Sequence, residues 1–339
     1  MVKIIVDAFG GDNSPSAVIK GTIDAINANA DIHVVLCGKE DIINSELINY
    51  TYNSEQIRVL NANDVITNDD SPATAIRQKK DSSIVVAYDY LKNNDDCVGF
   101  ISAGSTGAVL TGGFLKLGRL PGIHRPALCP VMPTVKNTSV CICDAGANMD
   151  CKPEYLDQFA VMASCYMSVL GYKKPKVALL NVGTEDHKGD TNTKETFELL
   201  KNNTNINFVG NMEARDFLSG EYDVIVADGF AGNVLLKSAE GAIKNLLTVM
   251  KREIKSSFVS KFGALFMRKT FKNIKKNFDY NSFGGAILLG CKKIVVKAHG
   301  SGNADNFTAS IIQVYNMHKG KLLSKIAKNL EKLSDETDA

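Results

Sequence analysis

Short apolar runs recur along the chain, and each ends in small or polar residues. They lie at residues 2–6, 32–36, 98–101, 140–143, 177–180, 206–209, 224–227 and 294–296. Apolar residues at helical spacing separate them, at 16–28, 82–91, 108–117, 153–170 and 193–200. Strands that alternate with helices of this length indicate βαβ units. The pattern therefore predicts an α/β fold with three layers, α/β/α, in which helices cover both faces of a mostly parallel, Rossmann-like sheet.

The loops that follow these strands are polar and rich in glycine. In an open parallel sheet the carboxyl ends of the strands line one crevice, and ligands bind in that crevice. The loops in question run 7–12, 102–107, 144–148, 181–185, 228–233 and 297–303. A ligand site formed by these loops is the main functional prediction from the pattern.

The stretch 222–241 has the most distinctive of these loops. A buried-strand run at 224–227 leads into Asp228 and two glycines, and helical spacing begins at Val234. A strand that feeds a helix through such a loop directs backbone N–H groups and the positive end of a helix dipole at one spot. This arrangement favours an anion site, to which Lys237 would add a full charge. The alternative is a tight connection whose glycines serve only the turn.

Length and composition indicate an ordinary globular protein. We predict a single large α/β domain over residues 1–339, although this length also suits two lobes. Four of the eight prolines fall in 119–133, which lacks a regular period and indicates an ordered excursion or a lobe boundary. Eight cysteines without regular spacing, a strand rather than a signal peptide at the start, and no transmembrane run favour a cytoplasmic location.

The positive charge is concentrated in one segment. Residues 251–276 contain nine Lys or Arg and one Glu, so this segment contributes +8 to a chain whose net charge is +2. Phenylalanines alternate with these charges in two apolar stripes, the second of which ends at Phe278. We predict a protruding helical pair over 240–280, here called the basic helical segment, that contacts an anionic bilayer, an acidic carrier protein or a second copy of the chain. The alternative is a core-facing helix with a solvated basic face.

The candidate contact residues of the basic helical segment are Lys251, Arg252, Lys255, Phe258, Phe262, Phe266, Arg268, Lys269 and Lys272. Because the basic character is confined to this segment, a diffuse nucleic-acid surface is not expected.

Several familiar motifs are absent from the sequence. It contains no dinucleotide G-x-G-x-x-G, no Walker loop, no G-x-S-x-G, no H-E-x-x-H and no C-x-x-C. We therefore expect no metal and no cofactor. What remains is backbone-rich loops with a few cationic or titratable side chains: Lys152, Lys188, Lys237, Lys297 and His299. Such groups suit a bound phosphate and the charge that develops on an oxygen, whereas the alternatives are solvated lysines and a histidine that bonds its own loop.

Seven motifs in order resemble those of the bacterial phosphate acyltransferases. They are VDAFGGD (6–12), SAGSTGA (102–108), RPAL (125–128), DAGANMDCKPE (144–154), LLNVGTEDHKG (179–189), DGFAGNVLLK (228–237) and KAHGSGN (297–303). The departures from the family pattern are Phe9, Ser105, Ala145 and Gly302. Each motif alone is weak, but their order along the chain is specific.

This resemblance implies an enzyme that transfers a fatty acyl group from acyl carrier protein to inorganic phosphate, for phospholipid synthesis. It also implies a fold like that of phosphotransacetylases and isocitrate dehydrogenases, and a cytoplasmic homodimer associated peripherally with the membrane. The acyl phosphate would pass to a membrane glycerol-3-phosphate acyltransferase.

The expected reaction is direct attack of phosphate on the thioester, with His299, Lys188 and Asp228 as candidate catalytic residues. The candidate substrate or phosphate-binding residues are Asp7, Gly10, Gly11, Gly104, Ser105, Thr106, Gly107, Asp144, Asn148, Lys152, Asn181, Gly183, Thr184, Gly229, Gly232, Asn233, Lys237 and Ser301. Two rival functions stay open: a transferase or dehydrogenase of the same fold that acts on short acyl-CoA or a hydroxy acid, and a non-catalytic scaffold recruited to the membrane.

Overall fold

The computed structural model describes residues 1–277 and 283–337, with side chains described for 1–274 and 283–331. The strands form two sheets. The alternation of strands and helices in the sequence predicted a mostly parallel sheet but did not show that it is divided in two. Sheet one has the order β3 (Ile57–Asn61), β2 (Ile32–Gly38), β1 (Val2–Asp7), β4 (Cys97–Ser102), β12 (Ile294–Lys297), β11 (Ala286–Leu289), β5 (Ala127–Cys129). Sheet two has the order β6 (Val131–Pro133), β7 (Ser139–Cys143), β10 (Val224–Val226), β8 (Lys176–Asn181), β9 (Asn207–Glu213).

Most neighbouring strands are parallel, which confirms the predicted α/β class. In sheet one only the pairs that include β11 are antiparallel, and in sheet two only β6 with β7. The helices of the described residues are α1 (Ser16–Ala28), α2 (Glu40–Leu47), α3 (Pro72–Gln78), α4 (Ser83–Asn93), α5 (Thr106–Gly112), α6 (Pro153–Val169), α7 (Thr191–Asn202), α8 (Gly229–Ser256), α9 (Phe258–Phe266), α10 (Arg268–Asn277), α11 (Ala304–Lys319) and α12 (Leu322–Thr337).

One continuous apolar core joins the two sheets. It contains residues of β1 and β2, of helices α1 and α11, of helices α6 and α12, and of strands β7, β8 and β10. Two further clusters cover the outer faces, one with α4 and α5 on sheet one and one with the start of α8 on sheet two. Helices therefore cover both faces of each sheet. The prediction of a single domain over 1–339 stays a prediction.

The proline-rich stretch 119–133 connects the sheets. Its strand β5 pairs with β11 in sheet one, and after Pro130 its strand β6 pairs with β7 in sheet two. Both strands have only three residues, so sequence periodicity could not identify them. Their pairing partners are distant in sequence and appear only in the fold.

Three helices, α8, α9 and α10, follow one another where the sequence pattern predicted a helical pair. The buried residues of α8 all lie in its first two turns, and the last of them is Leu236. None of the residues of α9 is buried. Residues 278–280 of the predicted basic helical segment, Phe278 among them, lie outside the described residues. Within the described ranges, no helix combines the length and the apolar character that crossing a bilayer requires.

Candidate active site

The ends of β1 and β4 are joined through Asp7. Because the two strands are parallel neighbours, Asp7 and Ser102 end them side by side. The Ser102 hydroxyl donates to Asp7 Oδ2 at 2.7 Å, and the Gly104 N–H donates to Ser102 Oγ at 3.0 Å. The Phe9 N–H donates to Asp7 Oδ1 at 3.1 Å. Burial raises the pKa of the Asp7 carboxyl, and the surrounding donors counteract that rise. Asp7 therefore fixes both loops from behind.

Loop 7–12 packs tightly against loops 102–107 and 297–303 of sheet one. A Cβ on Gly10 would lie 2.5 Å from the Gly104 nitrogen, so only glycine fits there. The Asp12 N–H donates to the Gly300 carbonyl at 2.7 Å. The Asn13 amide donates to the carbonyls of Ser301 and Gly302 at 3.2 Å and 3.1 Å. Loops 7–12, 102–107 and 297–303 therefore form one unit.

Lys297 ends β12, opposite Ser102 in the register with β4. Its ammonium donates to the Ala298 carbonyl at 2.6 Å and to the Ala103 carbonyl at 3.3 Å. Burial, aided by the charge of Lys237, lowers the pKa of Lys297 to about 8. This lysine is therefore a partly desolvated cation that is still charged at neutral pH.

His299 follows two residues later. Its Nδ1 accepts from the Ser301 N–H at 3.3 Å and lies 2.9 Å from Ser301 Oγ. Burial lowers the pKa of His299 below its ordinary value. An Nδ1 that accepts from a backbone N–H leaves the proton of the neutral ring on Nε2. At neutral pH His299 is therefore a neutral donor rather than a cation.

Asp144 organises the loops of sheet two. Its buried carboxylate accepts from the N–H groups of Leu128, Ala147 and Asn148 at distances between 2.7 and 3.2 Å. The Asn148 amide also donates to Asp144, and to the Pro126 carbonyl at 2.8 Å. Burial raises the pKa of Asp144, against the effect of these donors. Asp144 and Asn148 therefore hold the loop that follows β7 against β5 of sheet one and the residue before it, Pro126.

The start of α8 packs on this loop. Asp228 is the N-cap residue, and its Oδ1 accepts from the Ala231 N–H at 2.7 Å. The Gly229 N–H donates to the Asn148 carbonyl at 2.7 Å. A Cβ on Gly232 would overlap the Asp144 carbonyl oxygen, so the helix needs glycine at this contact. The predicted strand that feeds a helix is present, but residues 229–233, predicted as a loop, form the first turn of α8.

The loops of both sheets border one cavity of about 510 Å³. Its polar side chains belong to Asn68, Thr106, Asn233, Lys237, Glu240, Lys297 and His299, and Gly104 and Gly300 contribute backbone. Its apolar residues are Leu128, Pro130, Val131, Met132, Leu236, Phe283 and Ala286. A charged, donor-rich region therefore adjoins a wall of aliphatic and aromatic side chains.

Comparison with known proteins decides the family. A family model described as fatty acid synthesis protein matches residues 2–325. A phosphate acyltransferase of Clostridium acetobutylicum is 47% identical over 333 residues, which cover 98% of this chain and 99% of that protein. A phosphate acyltransferase of Clostridium novyi is 47% identical over 332 residues, which cover 97% and 99%. The chain belongs to the phosphate acyltransferase family. The resemblance inferred from seven motifs is thereby confirmed.

Solved structures confirm the fold of this family member. A phosphotransacetylase from Streptococcus pyogenes has a TM-score of 0.61 at 16% identity and covers 94% of both chains. A phosphotransacetylase from Staphylococcus aureus has a TM-score of 0.58 at 16% identity, with 96% of this chain and 94% of that chain covered. At this level of identity the likeness concerns the fold alone.

The predicted site residues fall into three groups. Gly104, Thr106, Asn233, Lys237 and His299 line the cavity. A second group supports the cavity from behind or beside it through the contacts described above: Asp7, Gly10, Gly11, Ser105, Gly107, Asp144, Asn148, Asp228, Gly229, Gly232 and Ser301. Within this group Gly107 packs against Pro72, and Ser105 is buried at the N-cap of α5.

The third group does not line the cavity. It comprises the β8 loop residues Asn181, Gly183, Thr184 and Lys188, together with Lys152 at the N-cap of α6. The Asn181 amide donates to the Lys188 carbonyl at 3.1 Å, and the Lys188 side chain is exposed. The β8 loop is thus held by a hydrogen bond within itself, and these residues do not line the cavity that contains Lys297. The structure gives Lys188 no part in the cavity of this chain.

Sequence reasoning missed the apolar wall. Four of its residues, Leu128, Pro130, Val131 and Met132, come from the proline-rich connection between the sheets. The four prolines were the available signal, but they gave no indication of which side chains face the cavity. Among the described residues, no cluster of His, Cys, Asp or Glu has the geometry to hold a metal ion.

Proposed function

We propose that this chain transfers an acyl group from the thioester of acyl carrier protein to inorganic phosphate, in the cavity between the two sheets. Acyl transfer to phosphate is the activity named for its relatives. The observation that carries the proposal is the pairing of Lys297 and His299 with an apolar wall in one cavity. Phosphate needs the cationic part, and a fatty chain needs the apolar part.

Phosphate is held by Lys297, Asn233 and the backbone of 104–106, with Lys237 at the margin. The Lys297 ammonium donates to two backbone carbonyls, and its third hydrogen serves the ligand. The start of α8 adds the positive end of a helix dipole near Asn233. A cation and fixed dipoles together offset the repulsion between phosphate and the developing oxyanion.

The reaction is a direct displacement at the carbonyl carbon. A phosphate oxygen forms the new bond to carbon, the carbonyl oxygen becomes an oxyanion, and the bond to sulfur then breaks. His299 Nε2–H donates to the oxyanion, because Nδ1 is engaged with Ser301. The thiolate leaves with the carrier and takes its proton from solvent. Phosphate is itself the nucleophile, so no covalent enzyme intermediate is needed.

The acyl chain lies along Leu128, Val131, Met132 and Leu236, which are all buried. Each buried methylene contributes about 0.8 kcal/mol of transfer free energy, so this wall discriminates a fatty chain from a short acyl group. A transferase that acts on short acyl-CoA, the rival function, does not need such an apolar wall.

One assay tests the proposed function. The protein is incubated with long-chain acyl carrier protein, with and without inorganic phosphate. Free thiol is measured, and acyl phosphate is trapped with hydroxylamine. We expect thiol release and hydroxamate formation only with phosphate, and both about a hundredfold slower in Lys297→Gln. Thiol release that is indifferent to phosphate would contradict the proposal, and a preference for short acyl-CoA would favour the rival.

The basic helical segment is the proposed contact with the membrane. Phe258, Phe262 and Phe266 are exposed at 88%, 64% and 79%, and the arginines and lysines around them suit anionic headgroups. Leu246 and Val249 of α8 are also exposed, which supports a homodimer that pairs two α8 helices. Acyl phosphate would then be released at the bilayer, where a membrane glycerol-3-phosphate acyltransferase takes it up.

A further inference from the structure

A second cavity, of about 390 Å³, lies at the amino ends of strands β8 and β9 in sheet two. It is bordered by 173–175, just before β8, and by 204–207, which lead into β9 and include its first residue. The third side is the second half of α6, and the fourth is α12. Because β8 and β9 are parallel, these segments lie at their amino ends, whereas the active-site loops follow carboxyl ends. We name it the lysine cavity, after Lys173, Lys174 and Lys325.

Two of the residues that line the lysine cavity each carry a buried polar side-chain atom without a hydrogen-bond partner among the described residues. Ser164, on α6, is 8% exposed, and its Oγ forms no hydrogen bond with the residues that the structure describes. The Asn205 amide Nδ2 is likewise buried and unpaired, although its backbone N–H donates to Asn203 Oδ1 at 2.9 Å. Leaving a buried donor unsatisfied is unfavourable, because the group gives up its hydrogen bonds with water and gains none in the protein. Such atoms are expected where a ligand completes their hydrogen bonds.

The charge around these atoms has one sign. Lys173, Lys174 and Lys325 border the cavity, no Asp or Glu is among its lining residues, and none of the three lysines forms an ion pair with the described residues. Ser164 and Asn205 add neutral donors between them. Three cations with two donors match a tetrahedral dianion better than a carboxylate, which carries a single charge.

We propose that the lysine cavity binds a phosphate group, free or on a small organic molecule. Ser164 Oγ and Asn205 Nδ2 donate to the phosphate oxygens, and Lys174 and Lys325 neutralise the charge. The site is separate from the active site, because it shares no lining residue with the active-site cavity. It is therefore independent of the proposed function.

Equilibrium dialysis against radiolabelled inorganic phosphate, at low ionic strength, counts the sites per chain. We expect two sites in the wild-type protein and one in the double variant K174Q/K325Q. Lys297→Gln should lose the other site. If the active site binds no phosphate, the wild-type protein has one phosphate site per chain. In that case K174Q/K325Q has no site, and Lys297→Gln keeps the one site. Unchanged binding in K174Q/K325Q would overturn the proposal.

Two further variants separate a site from a general charge effect. K176Q/K328Q removes two exposed lysines that lie nearby without bordering the cavity, and we expect it to keep both sites. Ser164→Ala leaves the charge unchanged and should weaken the second site about tenfold, with the melting temperature preserved. If Ser164 is only an unpaired core hydroxyl, Ser164→Ala binds phosphate as the wild-type protein does, and the proposed site is refuted. Glucose 6-phosphate is then added as a competitor for the phosphate bound in the lysine cavity, which is the binding that K174Q/K325Q lacks. Displacement of the radiolabel identifies a phosphate monoester as the ligand, and retention of the radiolabel identifies free phosphate.

Discussion

The Ser102 hydroxyl donates to the buried Asp7 carboxylate at 2.7 Å, and this bond joins the ends of β1 and β4 behind the active-site cavity. Neither residue lines the cavity. Together they hold loops 7–12 and 102–107 at a separation that admits no side chain between Gly10 and Gly104. The loops that contact phosphate in our proposal are therefore positioned by residues that lie behind the cavity and do not line it.

Gly10→Ala tests this positioning. The added methyl would lie 2.5 Å from the Gly104 nitrogen and 2.6 Å from Asp7 Oδ2, so the loops must separate. We expect kcat/KM for acyl transfer to fall about a hundredfold and the melting temperature to drop. The control is Gly241→Ala on α8, where a Cβ has open space and alanine favours the helix. Equal activity in the two variants would contradict the positioning role.

Lys297→Met should remove activity while stabilising the fold. The folded protein binds the Lys297 proton less tightly than the unfolded chain, because the pKa falls from 10.5 to about 8. Below pH 8 the buried charge therefore costs about 3 kcal/mol, and wild-type stability rises as pH rises from 8 to 10.5. We expect Lys297→Met to unfold at higher urea concentration at pH 7, with the advantage shrinking toward pH 10.5.

The pKa of Lys297 also predicts how activity declines on the alkaline side of the pH–rate profile. Lys297 loses its charge as pH rises through about 8, so kcat/KM in the wild-type protein should decline there. Lys188→Gln serves as the matched comparison, because the Lys188 side chain is exposed and does not line the cavity. We expect near-native kcat/KM for Lys188→Gln and a loss of about a hundredfold for Lys297→Gln. The reverse order would return Lys188 to the mechanism.

His299→Gln and His299→Ala distinguish a neutral donor from a proton carrier. A glutamine amide can donate to the oxyanion but cannot exchange a proton, so we expect it to retain more activity than alanine does. The alanine variant should be about a hundredfold slower than the wild-type protein. Because the pKa of His299 is lowered, the wild-type rate should hold as pH falls through 6.5. Equal rates for the two variants would assign His299 to proton transfer.

Val131→Phe tests the apolar wall. Val131 is buried and borders the cavity, so a phenyl ring there occupies space meant for methylene groups. We expect the ratio of kcat/KM for sixteen-carbon to eight-carbon acyl carrier protein to fall about tenfold. The ratio is insensitive to partial loss of folded protein. An unchanged ratio would place the acyl chain elsewhere.

Substitution of Phe258, Phe262 and Phe266 by Ser tests the membrane contact. These side chains are exposed, so the fold should tolerate the change, whereas cosedimentation with anionic vesicles should be lost. Ile48→Ser with Val135→Ser removes exposed apolar side chains elsewhere and should bind vesicles normally. Full vesicle binding by the triple variant would assign these phenylalanines to another contact, with a carrier protein or a second copy.

The sequence predicted α1 with the bounds that the structure has, and its apolar runs predicted β1, β2, β4, β7, β8, β9, β10 and β12. It did not predict β3, β5, β6 or β11, whose pairing partners are settled only in the folded sheets. Asp228 looked like a catalytic carboxylate in sequence, and in the fold it is the N-cap of α8. Local spacing identifies polar residues at strand ends but not the direction of their side chains.

Period, glycine placement and motif order were enough to determine the α/β class, the family, and the loops on which chemistry would be found, since all three are local properties of the chain. Lys297 ends β12 and Lys188 lies in the loop after β8, and no local feature of the sequence shows which of the two faces the cavity. Only the tertiary structure decided that Lys297 lies in the cavity and Lys188 does not, because the cavity forms where two sheets meet and each lysine's desolvation depends on neighbours far away in sequence.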